Sequence, residues 1–172
     1  YGAFYNCSNL KSITLPEGVT SVGDYAFYYC NGLTSITLPE GVTSIGSSAF
    51  IYCYNLTEIT FEDETPPTFG TDVFYSTNNY PIYVPTVDAL TAYQDADNMS
   101  SYASRVKCKT EINGIVYVIE GTEAKDEEKK YSGDIVIPDS ISLNGNTYPV
   151  TSIGSSAFYG CTGLTSVTIP NS

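Results

Sequence analysis

The sequence repeats itself every 23 residues, and this periodicity restricts the chain to folds built from stacked coils. The clearest copy is the segment 26–46, AFYYCNGLTSITLPEGVTSIG. Five apolar columns recur in register in the first copies and return near the end of the chain. The columns contain Phe4, Phe27, Phe50 and Phe158; Cys7, Cys30, Cys53 and Cys161; Leu10, Leu33, Leu56 and Leu164; Ile13, Ile36, Ile59 and Val167; and Leu15, Leu38, Phe61 and Ile169. A period of this length predicts a solenoid, in which each coil buries its inner side chains against its neighbours.

Each copy also predicts the shape of one coil. Residues 35–38 alternate small polar with branched apolar side chains, which indicates a half-buried strand ending at Pro39. Residues 42–45 predict a second short extended piece. The spacing of Ala49, Phe50 and Cys53 fits one tight helical turn with these side chains inside. The fold class is therefore a β-rich solenoid of short parallel strands and short helical turns.

The frame AFxxCxxLxxIxLPxxVxxIG closely resembles the BspA-like leucine-rich repeats, over residues 1–61 and 147–172. These repeats occur in surface proteins of gut and oral bacteria and in some parasitic protists. The resemblance implies a right-handed solenoid with a parallel sheet on one face. It also implies a secreted or cell-surface protein of a gut bacterium that adheres to other proteins.

The chain is predicted to hold the end of one array, residues 1–107, and the start of a second, residues 108–172. After Phe61 a degenerate fourth coil places Phe69 where Ile45 stood and Phe74 where Phe50 stood. A capping helix then covers about residues 86–106, with Thr86 as N-cap and Asp88 in its first turn. Its apolar stripe, with a break allowed near Asp97 and Asn98, is Leu90, Tyr93, Met99, Tyr102 and Val106.

Residues 108–150 predict an inserted β-hairpin segment. Asn113-Gly114 and Asn144-Gly145 are turn signals. The charged run 123–130 reads as a solvated turn, and residues 134–138 reproduce the strand-and-proline signature of the repeat. The array resumes at Thr151. Because the sequence opens and stops inside repeats, we expect it to be a piece of a longer protein.

Composition excludes several classes of function. Seven Lys and Arg against nineteen Asp and Glu give a net charge of −12, which argues against partners made of nucleic acid or anionic lipid. No apolar run is long enough to insert in a membrane. The chain has no histidine, the commonest general base and metal ligand. We therefore expect no enzyme, no cofactor and no metal site.

The cysteines and the acidic clusters favour structural interpretations. Four of the five cysteines share the inward column, where buried small side chains are expected rather than disulfides or zinc ligands. Cys108 lies outside the column and is the thiol to examine for reactivity. Residues 62–64 and 126–128 are acidic but lack the alternate spacing of a calcium loop, so surface acidity is expected.

Two surfaces are candidates for binding an extracellular protein, with a glycan as a further option. The first is a group of tyrosines near the predicted helical turn, since tyrosine offers large amphipathic area at low entropic cost. Its members are Tyr5, Tyr28, Tyr29, Tyr52, Tyr54 and Tyr159. The second is the outward face of the strands, whose residues include Ser12, Thr14, Ser35, Thr37, Glu58 and Thr60.

Three functions remain open from the residues. The first is a non-enzymatic surface scaffold that binds host or microbial proteins by area rather than in a pocket. The second is a structural spacer that presents another domain. The third is a glycan-binding module that stacks sugars on the tyrosines.

Overall fold

The computed structural model describes residues 1–113, 115–120, 123–126 and 131–169. The chain divides into two compact units, Tyr1–Lys107 and Cys108–Ser172. The repeated columns shape the first unit, whereas the second combines hairpins with the beginning of another repeat. The two units are described separately.

Short parallel strands build the first unit as two ladders. The strands are β1 (Ser21–Val22), β2 (Ser35–Leu38), β3 (Ser44–Ile45), β4 (Glu58–Phe61), β5 (Thr68–Phe69) and β6 (Ile82–Val84). One ladder has the order β1-β3-β5, and the other runs β2-β4-β6. In the second ladder Ile36 is in register with Ile59, and Ile59 with Ile82. Equivalent side chains of successive coils therefore lie over one another, as predicted.

The phenylalanine column shows this stacking most directly. The ring centroids of Phe4 and Phe27 are 5.1 Å apart, those of Phe27 and Phe50 are 5.3 Å apart, and their planes are within 8° of parallel. Phe74 continues the stack at 5.8 Å from Phe50, so its predicted place in the degenerate coil is confirmed. Phe69 likewise pairs with Ile45 in register.

The segment predicted as a helical turn is not helical. Within residues 1–61, all of which the structure describes, no helix occurs. The N–H of Tyr28 donates to the carbonyl of Tyr25, and that of Cys30 donates to the carbonyl of Phe27, which closes two successive β-turns. Tyr25 and Tyr29 adopt left-handed conformations, with φ of 56° and 62°. The prediction of a helical turn from Ala49 to Cys53 is therefore wrong.

Hydrogen bonding between coils explains the difference. The intervening N–H groups of Phe27 and Tyr29 donate to the carbonyls of Ala49 and Ile51 in the next coil, at 2.9 Å each. A helical turn would point these groups along its own axis and leave the coils unpaired. Along the turn, N–H groups that bond within the turn alternate with N–H groups that bond to the next coil. Hydrogen bonding between coils therefore continues through the turn.

The strand predicted at residues 12–15 is absent. Ile13 and Leu15 are half-buried, and the N–H of Thr34 in the next coil donates to the carbonyl of Lys11 at 3.3 Å.

Helix α1 (Val87–Gln94) begins as predicted and ends early. The hydroxyl of Thr86 accepts a hydrogen bond from the N–H of Ala89 at 3.1 Å, and Asp88 lies in the first turn. A 3-10 helix covers Ala103–Arg105, so the predicted helix to about residue 106 is not continuous, and the interruption includes Asp97 and Asn98, where a break was allowed. The break is local: Asn98 has a φ of 64° and its side chain donates to the carbonyl of Phe69 at 2.8 Å. Asparagine and aspartate compete with helical hydrogen bonding in this way.

Helix α1 packs on the degenerate coil through Tyr93. The ring of Tyr93 lies 4.9 Å from that of Phe61 and 6.4 Å from that of Phe69. Its hydroxyl donates to the carbonyl of Asp63 at 2.9 Å. Leu90, beside it on the helix, is buried as well.

The second unit contains five paired strands and a short parallel pair. Its strands are β7 (Val106–Ile112), β8 (Ile115–Glu120), β9 (Glu123–Asp126), β10 (Ser132–Val136), β11 (Ser140–Leu143), β12 (Asn146–Ile153) and β13 (Gly163–Thr168). The larger sheet has the order β11-β12-β9-β8-β7. The predicted hairpin segment contains two antiparallel pairs, β7 with β8 and β11 with β12, each at one of the Asn-Gly turn signals. Parallel pairing of β10 with β13 places Ile135 beside Val167.

The charged run 123–130 differs from its prediction. Residues 123–126 form β9, which pairs with both β8 and β12, while residues 127–130 lie outside the described part. Strand pairing uses backbone groups, so a strand between two partners forms despite an unfavourable composition.

The first prediction concerns the column of Gly46, where successive coils approach each other closely. A Cβ on Gly46 would lie 2.3 Å from the backbone nitrogen of Asp24 in the preceding coil. We expect Gly46→Ala to lower the free energy of unfolding by about 1–3 kcal/mol, because the two coils would have to separate. The control is Gly18→Ala, since a Cβ there meets nothing within 4 Å. Urea unfolding followed by circular dichroism measures both, and equal losses would contradict the prediction.

The phenylalanine stack generates the second prediction. Phe27 is 2% exposed and has a ring on each side, whereas Phe4 is half-buried. We expect Phe27→Ala to cost about 3–5 kcal/mol of unfolding free energy through lost burial and a cavity. Phe4→Ala removes one ring contact at a more open position, so a loss of about 1 kcal/mol is expected. A loss at Phe4 as large as that at Phe27 would argue against stacking as the source of stability.

Candidate interaction surface

Five tyrosines come together on one side of the first unit, and we call them the tyrosine cluster: Tyr5, Tyr28, Tyr29, Tyr52 and Tyr54. Tyr5 and Tyr28 occupy the same column and stack at 4.8 Å with planes 6° apart. Tyr52 contacts Tyr28 and Tyr29 edge to face, at 5.4 and 5.3 Å. Tyr54 lies 5.8 Å from Tyr52. The coil register thus builds a continuous aromatic surface.

The tyrosine cluster is open to solvent. Tyr5, Tyr29 and Tyr54 are 55%, 39% and 44% exposed, and the other two are half-buried between them. A cleft of about 340 Å³ lies among Tyr5, Asn6, Tyr28 and Tyr29. Desolvation, and secondarily the repulsion between neighbouring phenolates, raises the pKa of Tyr28 and that of Tyr54 above the ordinary value.

Two tyrosines of the cluster have backbone conformations that are unfavourable for them. Tyr29 and Tyr52 have φ of 62° and 61°, in a region that costs a side chain other than Gly about 1–2 kcal/mol. Asn6, Ser76 and Gly160 occupy the same column with positive φ. The turn of the coil therefore imposes the positive φ, the column accepts small residues, and tyrosine does not stabilise the backbone there.

The tyrosine cluster differs in membership from the predicted group. Tyr159, which is 78% exposed, belongs to the second unit, so it is not counted in the cluster. Sequence reasoning missed Tyr25, which lies 5.7 Å from Tyr28, and Tyr1, which lies 5.4 Å from Tyr25. A sequence signal for Tyr25 does exist: it stands in the column of Gly2, where a small residue is expected and a tyrosine is unusual.

The outward strand face is hydroxyl-rich, as the alternation indicates, and Thr14 and Thr37 line a cleft of about 260 Å³. Ser35, Thr37, Glu58 and Thr60 are half-buried or exposed on β2 and β4. Ser12 and Thr14 are exposed but lie outside any strand. Tyr83 on β6 is in register with Thr60 and is 6% exposed, so the series of outward hydroxyl side chains ends at β4.

The cysteines are free thiols and most are buried. The thiols of Cys30 and Cys53 donate to the carbonyls of Phe4 and Phe27 at 3.1 Å, and burial raises their pKa to about 11 and about 12. Cys7 is exposed and Cys161 is partly so, which departs from the expectation for the column. Burial also raises the pKa of Cys108 to about 11, so it is no activated nucleophile.

The acidic segment 62–64 has a structural role through Asp63. Its carboxylate accepts hydrogen bonds from the N–H of Thr65 at 2.8 Å and from the N–H of Gly41 in the preceding coil at 3.0 Å. These bonds lower the pKa of Asp63. Over the described residues no group of three or more Cys, Asp or Glu side chains is arranged to hold a metal ion. The second acidic segment, 126–128, lies mostly outside that part of the chain.

No helix among the described residues has the length and apolar character needed to cross a membrane.

Comparison with known proteins identifies the repeat. The pattern of the BspA type leucine rich repeat region matches residues 1–95 and 137–172, with six copies. Among curated proteins, none matches the chain. A solved leucine rich cell surface protein from Faecalibacterium prausnitzii A2-165 is 21% identical over 97% of this chain, with a TM-score of 0.27. The chain spans 56% of that protein.

Asp63 generates a prediction about pH. Because hydrogen bonds lower its pKa in the folded state, its contribution to stability is present above the unfolded pKa of about 4 and is lost as pH falls below it. We expect Asp63→Asn to cost about 1 kcal/mol at pH 7 and nothing measurable at pH 2. Urea unfolding at a series of pH values tests this. Glu64→Gln removes an adjacent exposed carboxylate as a charge control, and a matching pH profile for it would refute the assignment.

Proposed function

Because the chain belongs to the BspA-type leucine-rich repeat family, we propose that it is a non-enzymatic module that binds another protein outside the cell, with the tyrosine cluster as its contact surface. The parent protein is secreted or held at the surface of a gut bacterium, and the interaction serves adhesion to host or microbial proteins. The outward strand face is the secondary candidate surface.

One observation carries this proposal: five tyrosines form a continuous exposed surface, and two of them occupy strained positions that the fold would fill better with small residues. Tyrosine is favoured in recognition surfaces because its large ring loses little entropy on binding. The cluster is also rigid before binding, since each ring contacts at least one other, and preorganisation lowers the cost of association.

The chemistry of the first unit supports binding rather than catalysis. The chain has no histidine, and the thiols of Cys30, Cys53 and Cys108 are buried with raised pKa. The tyrosine cluster contains no charged side chain to act as acid or base. Its open cleft suits a partner that lays side chains against a surface.

The proposal includes an architecture for the parent protein. Residues 1–107 are the end of one right-handed array, whose last coil is capped by α1 and the segment up to about residue 106. Residues 108–172 are a hairpin-bearing cap that opens a second array. The contacts of Tyr93 with Phe61 and Phe69 support the first cap, because the terminal coil of a solenoid needs its core covered.

The test removes the exposed rings of the tyrosine cluster. We expect the variant Tyr5→Ser, Tyr29→Ser and Tyr54→Ser to lose at least about tenfold in affinity for its protein partner, because aromatic residues dominate binding energy. Immobilised collagen, laminin and fibronectin serve as probes in a saturation assay. Serine is already present as Ser8 in the column of Tyr54 and as Ser76 in that of Tyr29, so the coils should tolerate it.

The matched control is Tyr75→Ser. Tyr75 is 57% exposed and occupies the column of Tyr5 and Tyr28 outside the tyrosine cluster. Its removal should leave binding unchanged. If wild-type protein binds none of the three probes saturably, the spacer function is favoured. If it binds and the triple variant binds equally, the tyrosine cluster is not the contact surface.

A further inference from the structure

The charge of the first unit is strongly one-sided. Residues 1–107 contain eleven Asp and Glu residues against three basic residues, Lys11, Arg105 and Lys107, and Arg105 is 7% exposed. A positively charged partner would therefore approach this unit down a favourable potential.

The cleft of the tyrosine cluster suits a flat cation. Tyr5, Tyr28 and Tyr29 supply ring surface and neutral phenol oxygens around about 340 Å³, and Asn6 supplies an amide. Tyrosine rings attract arginine and lysine through their quadrupole, and guanidinium also stacks on them. Phenol and amide oxygens accept the hydrogen bonds that guanidinium donates.

The first unit already contains a guanidinium held by aromatic rings. The Cζ atom of Arg105 lies 4.2 Å from the ring centroid of Tyr80, 5.5 Å from that of Tyr102 and 5.7 Å from that of Phe74. Its Nε donates to the carbonyl of Tyr80 at 2.9 Å. The chain thus shows internally that rings and carbonyl oxygens hold an arginine that is 7% exposed.

We propose that the tyrosine cluster binds an extended, arginine-rich polypeptide segment, with one side chain entering the cleft between Tyr5, Tyr28 and Tyr29. This inference rests on the proposed function and names the chemistry of its partner. Three coils spaced by about 4.8 Å place Tyr5 and Tyr54 roughly 10 Å apart along the stack, the reach of about three extended residues. A short basic segment therefore spans the cluster.

The ring geometry disfavours a neutral glycan at the same place. A sugar stacks on an open ring face, but Tyr5 and Tyr28 cover each other at 4.8 Å, and Tyr52 and Tyr54 approach Tyr29 edge to face. A planar guanidinium needs less face area than a pyranose ring does.

The test uses fluorescence anisotropy of a labelled eight-residue peptide of alternating arginine and serine, with the whole 172-residue chain, at 0.15 M NaCl to screen the net charge. The control peptide carries citrulline, which has the shape of arginine without its charge. Tyr5→Ser/Tyr29→Ser/Tyr54→Ser removes rings without changing charge, and the corresponding triple Phe variant keeps the rings. Tyr75→Ser is the surface control, and circular dichroism verifies that each variant is folded.

We expect the citrulline peptide and the triple Ser variant each to weaken binding at least about tenfold, with the triple Phe variant within about threefold of wild type. Equal binding of both peptides, or equal binding by the triple Ser variant, would overturn the proposal, the latter by assigning affinity to net charge alone. A neutral chito-oligosaccharide that binds in a cluster-dependent manner while the peptide does not would also overturn it. If neither peptide binds but the triple Ser variant loses a protein probe, the basic partner is wrong and the proposed function stands.

Discussion

The register between successive coils is the constraint on which the rest of this structure depends. It places Phe27 over Phe4 and Ile59 over Ile36, and it gives Phe27 and Ile59 an equivalent or substituting neighbour on each side. The same register acts outside the core, where it sets Tyr28 on Tyr5. Because each coil contacts its neighbours alone, the surface is as repetitive as the interior. A side chain's surroundings follow from its column more than from its neighbours in sequence.

The sequence predicted the structural features that follow from its periodicity and missed those that do not. Apolar columns identified β2, β4 and the stand-in residues Phe69 and Phe74, because burial selects side chains of one kind at one spacing. The turns were misjudged because an apolar spacing of three residues, as from Phe27 to Cys30, fits a helical turn and two β-turns equally. The signal that separates them is the sign of φ. Gly2 and Gly160 in those columns were the clue to it.

Outside the repeats, local sequence propensity predicts the ends of helices and strands less well. The start of α1 was predictable because Thr86 caps it through its own side chain. Its end depends on Asn98 reaching the carbonyl of Phe69 across the fold, a contact that no local pattern reveals. β9 shows the same limit, since its charged residues form a strand between β8, which precedes it directly, and β12, which is distant in sequence. Tertiary hydrogen bonds decided both cases.

The two candidate surfaces differ in what the fold itself explains. Thr37 and Thr60 face outward on strands, where threonine is favoured for its own conformational preference, so their presence needs no partner. Tyr29 and Tyr52 are the opposite case: their column takes Asn, Ser and Gly elsewhere, and tyrosine is the costly choice for the backbone. Ring contacts within the cluster offset part of that cost, at about 0.5–1.5 kcal/mol per pair. Stability gives no reason for tyrosine at these two positions of a unit with eleven acidic residues against Lys11, Arg105 and Lys107, and the proposed binding surface does.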